Sequence, residues 1–270
     1  MNSMIMSNNH FKVLRGGTHS TYQDSGFINK QHLGITSGGV IDYELYALAN
    51  ILLGNSLKTP VIEFSFQGPS LKLMFGTCRF VVTGNIFFTI KTKNKIINGK
   101  VNQSYLLKKG DILDILTTVK SNYGYLSVEG GFKIKKEFDS FSTLTISKIG
   151  ANKGEKISNN QNIYINNNGS NKKSIINRNS KEEVGVKEKI IRVIPGPQMN
   201  YFFQKTINNF FTKKFEISYQ SNRMGIRLEK NMCKAVKSHN IPSEGIIKGS
   251  IQIPGDGSPI VLLNDHPTIG

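Results

Sequence analysis

Short runs of β-branched and aromatic residues alternate with polar turns through the first half of the chain. Residues 61–66, 71–75 and 79–83 are of strand length, and Gln67-Gly68-Pro69, Gly76 and Gly84-Asn85 punctuate them. Residues 87–91, 104–107, 112–116 and 123–128 continue the series, with Lys109-Gly110-Asp111 as a tight turn. Strands at this spacing predict a barrel or sandwich rather than alternating βαβ units. One helix interrupts them. Leu45, Leu48, Ala49 and Leu52 recur at helical spacing, Asp42 is placed to cap residues 43–53, and Gly54-Asn55 to stop them.

The pattern then fails. Residues 152–189 are rich in Asn, Lys and Ser and lack periodicity, which predicts a flexible linker or exposed insertion. Strand character returns at 190–194 and stops at Pro195-Gly196-Pro197. Residues 200–211 predict an amphipathic helix with Phe202, Phe203, Ile207 and Phe210 on its apolar face. Residues 215–219, 226–228, 246–247, 250–253 and 260–263 read as further strands. The expected organisation is an N-terminal subdomain over 11–151, the linker over 152–189, and a C-terminal subdomain over 190–270.

Composition changes this picture little. The net charge is +17, but the lysines are scattered among Asn and Ile rather than gathered with Arg and aromatics. That argues against a nucleic-acid partner, while the positive field favours small anions. Cys78 and Cys233 lie far apart without metal-type spacing, as for buried thiols in a reducing compartment. The first ten residues do not read as a signal peptide, and no run of about 18 apolar residues is present. A cytoplasmic protein with no membrane partner and no metal is expected.

No Walker A, HExxH, CxxC, GxSxG or dinucleotide signature occurs. Three loops gather polar groups instead. The first is TYQDSGF followed by LGITSGGVID, where Gln23, Asp24, Ser37 and Gly38 could hold a carboxylate, amide or phosphate. Asp24 and Asp42 read either as acid/base partners or as caps of a turn and the helix. The second is SNRMGIRLE, with Arg223, Met224, Gly225 and Arg227. An Arg on such a turn can fork a carboxylate or pair with an acidic residue such as Glu63 or Glu244. The third is GSIQIPGDGSPIVLLNDHPTIG. Gln252 precedes its turn, Asp265 and His266 follow its last strand, and Thr268 lies just beyond. Asp265 could fix the tautomer of His266, or both could only bond turn backbone.

These motifs, with LANILLGN, VIEFSFQGPSLKL, SVEGGF and IPGPQ between them, resemble the biotin-dependent carboxyltransferase domain family. That family includes the C-type subunit of 5-oxoprolinase, allophanate-hydrolase-subunit-2-like proteins and the carboxyltransferase domain of urea amidolyase. The resemblance implies a mainly β fold of cyclophilin-like β-barrel subdomains with a few short helices, and an active cleft between them. It implies a subunit-B-like partner and a third subunit, with ATP used by the complex to open 5-oxoproline to glutamate. On the urea branch, biotin would carry the carboxyl group instead. A third branch is a regulatory binding protein that antagonises a kinase inhibitor. The catalytic group expected is Asp265, His266 and Gln252. The expected binders of a small amide or carboxylate are Gln23, Asp24, Ser37, Gly38, Arg223, Met224, Gly225, Arg227 and Thr268. Phe27 stands where the family commonly has Arg, and relatives continue past Gly270, so a truncated C-terminal subdomain is expected.

Overall fold

A computed structural model describes residues 9–166, 190–229, 233–237 and 240–270. The chain forms two compact units, one of Met1–Phe27 with Gly38–Val184, the other of Ile28–Ser37 with Gly185–Gly270.

The first unit opens with β1 (His10–Arg15) and β2 (His19–Gln23), followed by α1 (Tyr43–Leu53). Next come β3 (Val61–Ser65), β4 (Ser70–Leu73), β5 (Thr77–Thr83), β6 (Ile86–Lys91) and β7 (Ile96–Asn98). Then follow β8 (Ser104–Lys108), β9 (Ile112–Thr118), β10 (Tyr123–Val128), β11 (Thr143–Leu144), β12 (Ile149–Gly150) and β13 (Asn162–Tyr164). Two large antiparallel sheets result, ordered β13-β1-β4-β9-β6-β7 and β2-β3-β10-β5-β8, with β11 and β12 as a separate antiparallel pair. Alternation along each strand puts Phe11, Val13, Leu71, Leu73, Leu113 and Ile115 of the first sheet into the core. Ile62, Phe64, Phe80, Val82, Leu126 and Val128 come from the second. Each such side chain contributes about 1.5–3 kcal/mol by leaving water.

The second sheet is buried on its other face too. Leu45 and Tyr46 of α1 pack on Val61 and Tyr125, and Leu52 and Leu53 pack on Val81. The residues that alternate with the core set therefore serve the helix. Asp42 caps α1 as its sequence predicts, its side chain accepting from the Leu45 amide at 3.0 Å. Gly54 ends the helix at φ 68°, a left-handed conformation that costs glycine nothing.

The predicted linker begins later than its composition suggests. Ala151–Gly154 make a 3₁₀ turn, β13 pairs with β1, and Ile157, Ile163 and Ile165 are buried. Three well-spaced isoleucines anchor this stretch although the residues around them are polar. The rest of the linker, 167–189, and residues 1–8 lie outside the described residues.

In the second unit, β14 (Glu216–Ile217), β15 (Gly225–Glu229), β16 (Ile251–Gln252) and β17 (Ile260–Leu262) form one sheet in the order β14-β15-β17-β16. The segment Ile28–Ser37 joins this unit rather than the N-terminal one. Residues 190–194 do not form the expected strand; Ile191 and Ile194 are 88% and 90% exposed. A β-branched run becomes a strand only where a ladder partner receives it. The helix expected over 200–211 is a 3₁₀ turn, Met199–Tyr201, then α2 (Gln204–Thr212), because Phe202 and Phe203 are extended. None of α2 is fully buried. Among the described residues, no helix is long and apolar enough to cross a membrane.

Candidate functional site

In the first unit, the end of β2 delivers Gln23 and Asp24 into a serine-rich segment. Asp24 Oδ1 accepts from the hydroxyls of Ser140 at 2.6 Å and Ser142 at 2.7 Å, and from the Gly26 amide at 2.9 Å. Its Oδ2 accepts from the Phe141 amide at 2.9 Å. A carboxylate offers about four lone-pair sites, so Asp24 is saturated. Gln23 is fully buried; its Nε2 donates to Thr21 Oγ1 and to the Thr143 carbonyl, both at 3.0 Å. The sequence points both residues at substrate. Their geometry instead ties β2 to residues 140–143.

The same loop system is drawn tight by glycine. Gly39 has φ 81°, and a Cβ there would lie 2.9 Å from the Gly26 amide nitrogen. Gly38 is buried, with a Cβ position 3.0 Å from Leu144 and 3.1 Å from the Phe27 ring. Phe27 is thus core here rather than an anion contact. The Val40 amide bonds the Asp24 carbonyl, the Ile41 amide bonds Glu63 Oε2, and the Asp42 amide bonds Tyr125 Oη. Glu63 also accepts from the Tyr125 hydroxyl at 2.9 Å. Burial, together with the nearby Glu63 charge, pushes the Tyr125 hydroxyl well above its ordinary pKa.

In the second unit, antiparallel pairing of β15 with β17 brings the SNRMG turn beside the NDHP turn. Arg223 and Asp265 form a bidentate pair, Nε to Oδ2 and Nη2 to Oδ1, each 2.8 Å, with both side chains 7% exposed. The Asp265 amide donates to the Arg223 carbonyl at 2.9 Å, and the Leu263 amide to that of Met224 at 2.9 Å. The hydroxyls of Thr36 and Ser37 both donate to the Asn264 carbonyl, at 3.0 and 3.1 Å. Gln31 Nε2 donates to the carbonyls of Ile246 and Thr268.

Two expected roles change. Arg223 reads from sequence as an anion receptor, but its Nε and Nη2 edge holds Asp265, not Glu63 or Glu244. Asp265 is expected to orient His266. It faces Arg223 instead, and His266 Nδ1 faces the Pro267 carbonyl. A carbonyl can only accept, so the tautomer that suits this contact carries its proton on Nδ1 and leaves Nε2 as an acceptor, on a side chain that is 3% exposed. Gly225 is a close-approach residue, with a Cβ position 2.7 Å from Ile260. Ser37, Arg227 and Gln252 are not buried, and Met224 and Thr268 are half-buried.

Ser140, Ser142, Thr36 and the Asn264 carbonyl escape sequence reasoning as members of these networks. The alternation Ser140-x-Ser142 puts two hydroxyls on one side of an extended segment, a signal that the sequence does carry. Nothing local marks a backbone carbonyl. Among the described residues, no group of three or more His, Cys, Asp or Glu side chains is placed to hold a metal ion.

Residues 33–270 match the carboxyltransferase domain family, subdomains A and B. The chain belongs to the carboxyltransferase domain family. Within it, the C-type subunit of 5-oxoprolinase from Escherichia coli K12 is 30% identical over 264 residues, covering 96% of this chain and 81% of that one. Urea amidolyase of Saccharomyces cerevisiae is 26% identical over 292 residues, covering all of this chain but 15% of that protein. The solved structure of urea amidolyase from K. lactis is similar with a TM-score of 0.79 at 22% identity, over 99% of this chain and 17% of that one. That likeness carries the fold of a carboxyltransferase domain.

Proposed function

We propose that this chain is a subunit of an ATP-dependent 5-oxoprolinase, acting in the cytoplasm with a subunit-B-like protein and a third subunit. The observation that carries this reading is the 30% identity spread over 81% of the C-type subunit of a 5-oxoprolinase. Two buried free thiols, Cys78 and Cys233, suit a reducing compartment.

In ring opening, a water oxygen adds to the lactam carbonyl, the C–N bond breaks and the nitrogen leaves with a proton. His266, with Nε2 as its acceptor, takes the proton of the attacking water in this reading. Asp265 and Arg223 are positioning residues that hold the NDHP turn, and Ser37, Gln252 and Arg227 offer accessible polar contacts to a carboxylate or amide. ATP is used by the complex in this reading, and this chain carries no nucleotide-binding signature.

The chain mixed with its partner subunits should release glutamate from 5-oxoproline only when ATP is present. His266→Gln should lower that rate about 100-fold while the complex still forms. No glutamate from a complete assembly overturns the reading. A stable complex without turnover would point to a regulatory binder.

The coverage of the whole chain by urea amidolyase favours a second reading, biotin-dependent carboxyl transfer to urea or a related amide. Biotin-dependent incorporation of labelled bicarbonate would decide for this reading.

A further inference from the structure

The outer face of the first sheet carries an excess of cations over carboxylates, although Lys12 donates to the Asn160 carbonyl and Arg15 to the carbonyls of Gly68 and Ile115. Lys12 on β1 stands directly opposite Lys72 on β4. Along the same row, Lys72 faces Ile112 on β9, and Ile112 faces Lys91 on β6. In the next row, Arg15 faces Ser70, Ser70 faces Asp114, and Asp114 faces Thr89. These residues alternate with the buried set, so they share the face turned from the core.

The charge on this face is one-sided. Its six strands present Lys12, Arg15, Lys72 and Lys91 against a single carboxylate, Asp114. Asp114 is already committed, to Arg15 at 2.9 Å and Lys91 at 2.8 Å. Like charges directly opposite each other across a strand pair are destabilising. Between the cations, Leu14, Phe87, Ile96 and Leu116 are 45%, 62%, 66% and 37% exposed. By contrast, the outer face of the other sheet is covered by α1.

We propose that this face docks an acidic protein surface, which under the functional reading above belongs to another subunit of the complex. Carboxylates of the partner would neutralise Lys12 and Lys72, and its apolar residues would cover Leu14, Ile96 and Leu116. Protein is favoured over nucleic acid because these exposed residues are mostly aliphatic and do not stack with bases. Only the partner's identity rests on the 5-oxoprolinase reading; the chemistry of the face does not.

Binding of the partner subunits by the full chain should weaken about tenfold in K12E/K72E and less than about twofold in K213E/K214E, which makes the same charge change in the second unit. K72E alone turns the Lys12–Lys72 pair into an opposite one and spares the bond from Lys12 to the Asn160 carbonyl, so its melting temperature should rise while docking weakens. A misfolded variant cannot give that pair of results. Equal losses in the two double variants, or docking unchanged in K12E/K72E, overturn the proposal. If the unaltered chain forms no complex with those subunits, the functional reading fails, and the same variants are then compared on poly-L-glutamate. Duplex DNA or phosphatidylserine vesicles bound more tightly than poly-L-glutamate, and lost in K12E/K72E, would overturn it in favour of those partners.

Discussion

Arg223 and Asp265 sit at 7% exposure, so neither charge has water to fall back on if its partner is removed. Asp265→Asn should lower the unfolding free energy by about 3–5 kcal/mol, the cost of breaking a buried bidentate ion pair, as read from urea denaturation followed by circular dichroism. Asp114 behaves differently because it titrates. Burial alone would raise its carboxyl, but the hydrogen bond and charge of Lys91 and the Arg15 guanidinium outweigh burial and hold it below the ordinary range. A carboxyl depressed in the folded state contributes stability that is complete above its unfolded pKa of about 3.9 and is lost as pH falls through the lower folded value. The urea midpoint should therefore drop as pH falls below that unfolded value, and by less in Asp114→Asn. At this scale the sequence shows which residue types matter but not how they pair. Arg223 is legible as a fork, yet its partner lies 42 residues away, and only the β15–β17 register brings them together.

The elements are more legible because local rules decide them. The span and both caps of α1 follow from residues within one turn of each end, and the strands of the first unit follow from period-2 alternation. Asp42→Ala should cost about 1 kcal/mol in thermal or urea unfolding, since it removes the acceptor of the Leu45 amide. The misses have a common physical cause. Residues 190–194 have strand composition without a neighbouring strand, and 162–164 have linker composition with one. Pairing is a property of the partner as much as of the segment, and no single window of sequence contains the partner.

The mainly β class and its few helices are readable from the chain, whereas the division into units is not. The expected division, 11–151 and 190–270 about a linker over 152–189, takes each unit as one continuous stretch. Instead Ile28–Ser37 is built into the second unit. Thr36 and Ser37 reach acceptors 228 and 227 residues further on, and Gln31 reaches one 237 residues on. On a ribosome adding about 5–20 residues per second, that early segment waits roughly 10–45 s for its partners to be made. Through that interval Thr36 and Ser37 lack their acceptor, and these contacts of the second unit can close only when the Asn264 turn emerges. Contacts of such long sequence separation also slow refolding of the finished chain. A fragment begun at residue 190 would lack the strap that fastens the Asn264 turn, so the second unit cannot be obtained by simple truncation from the N-terminal side.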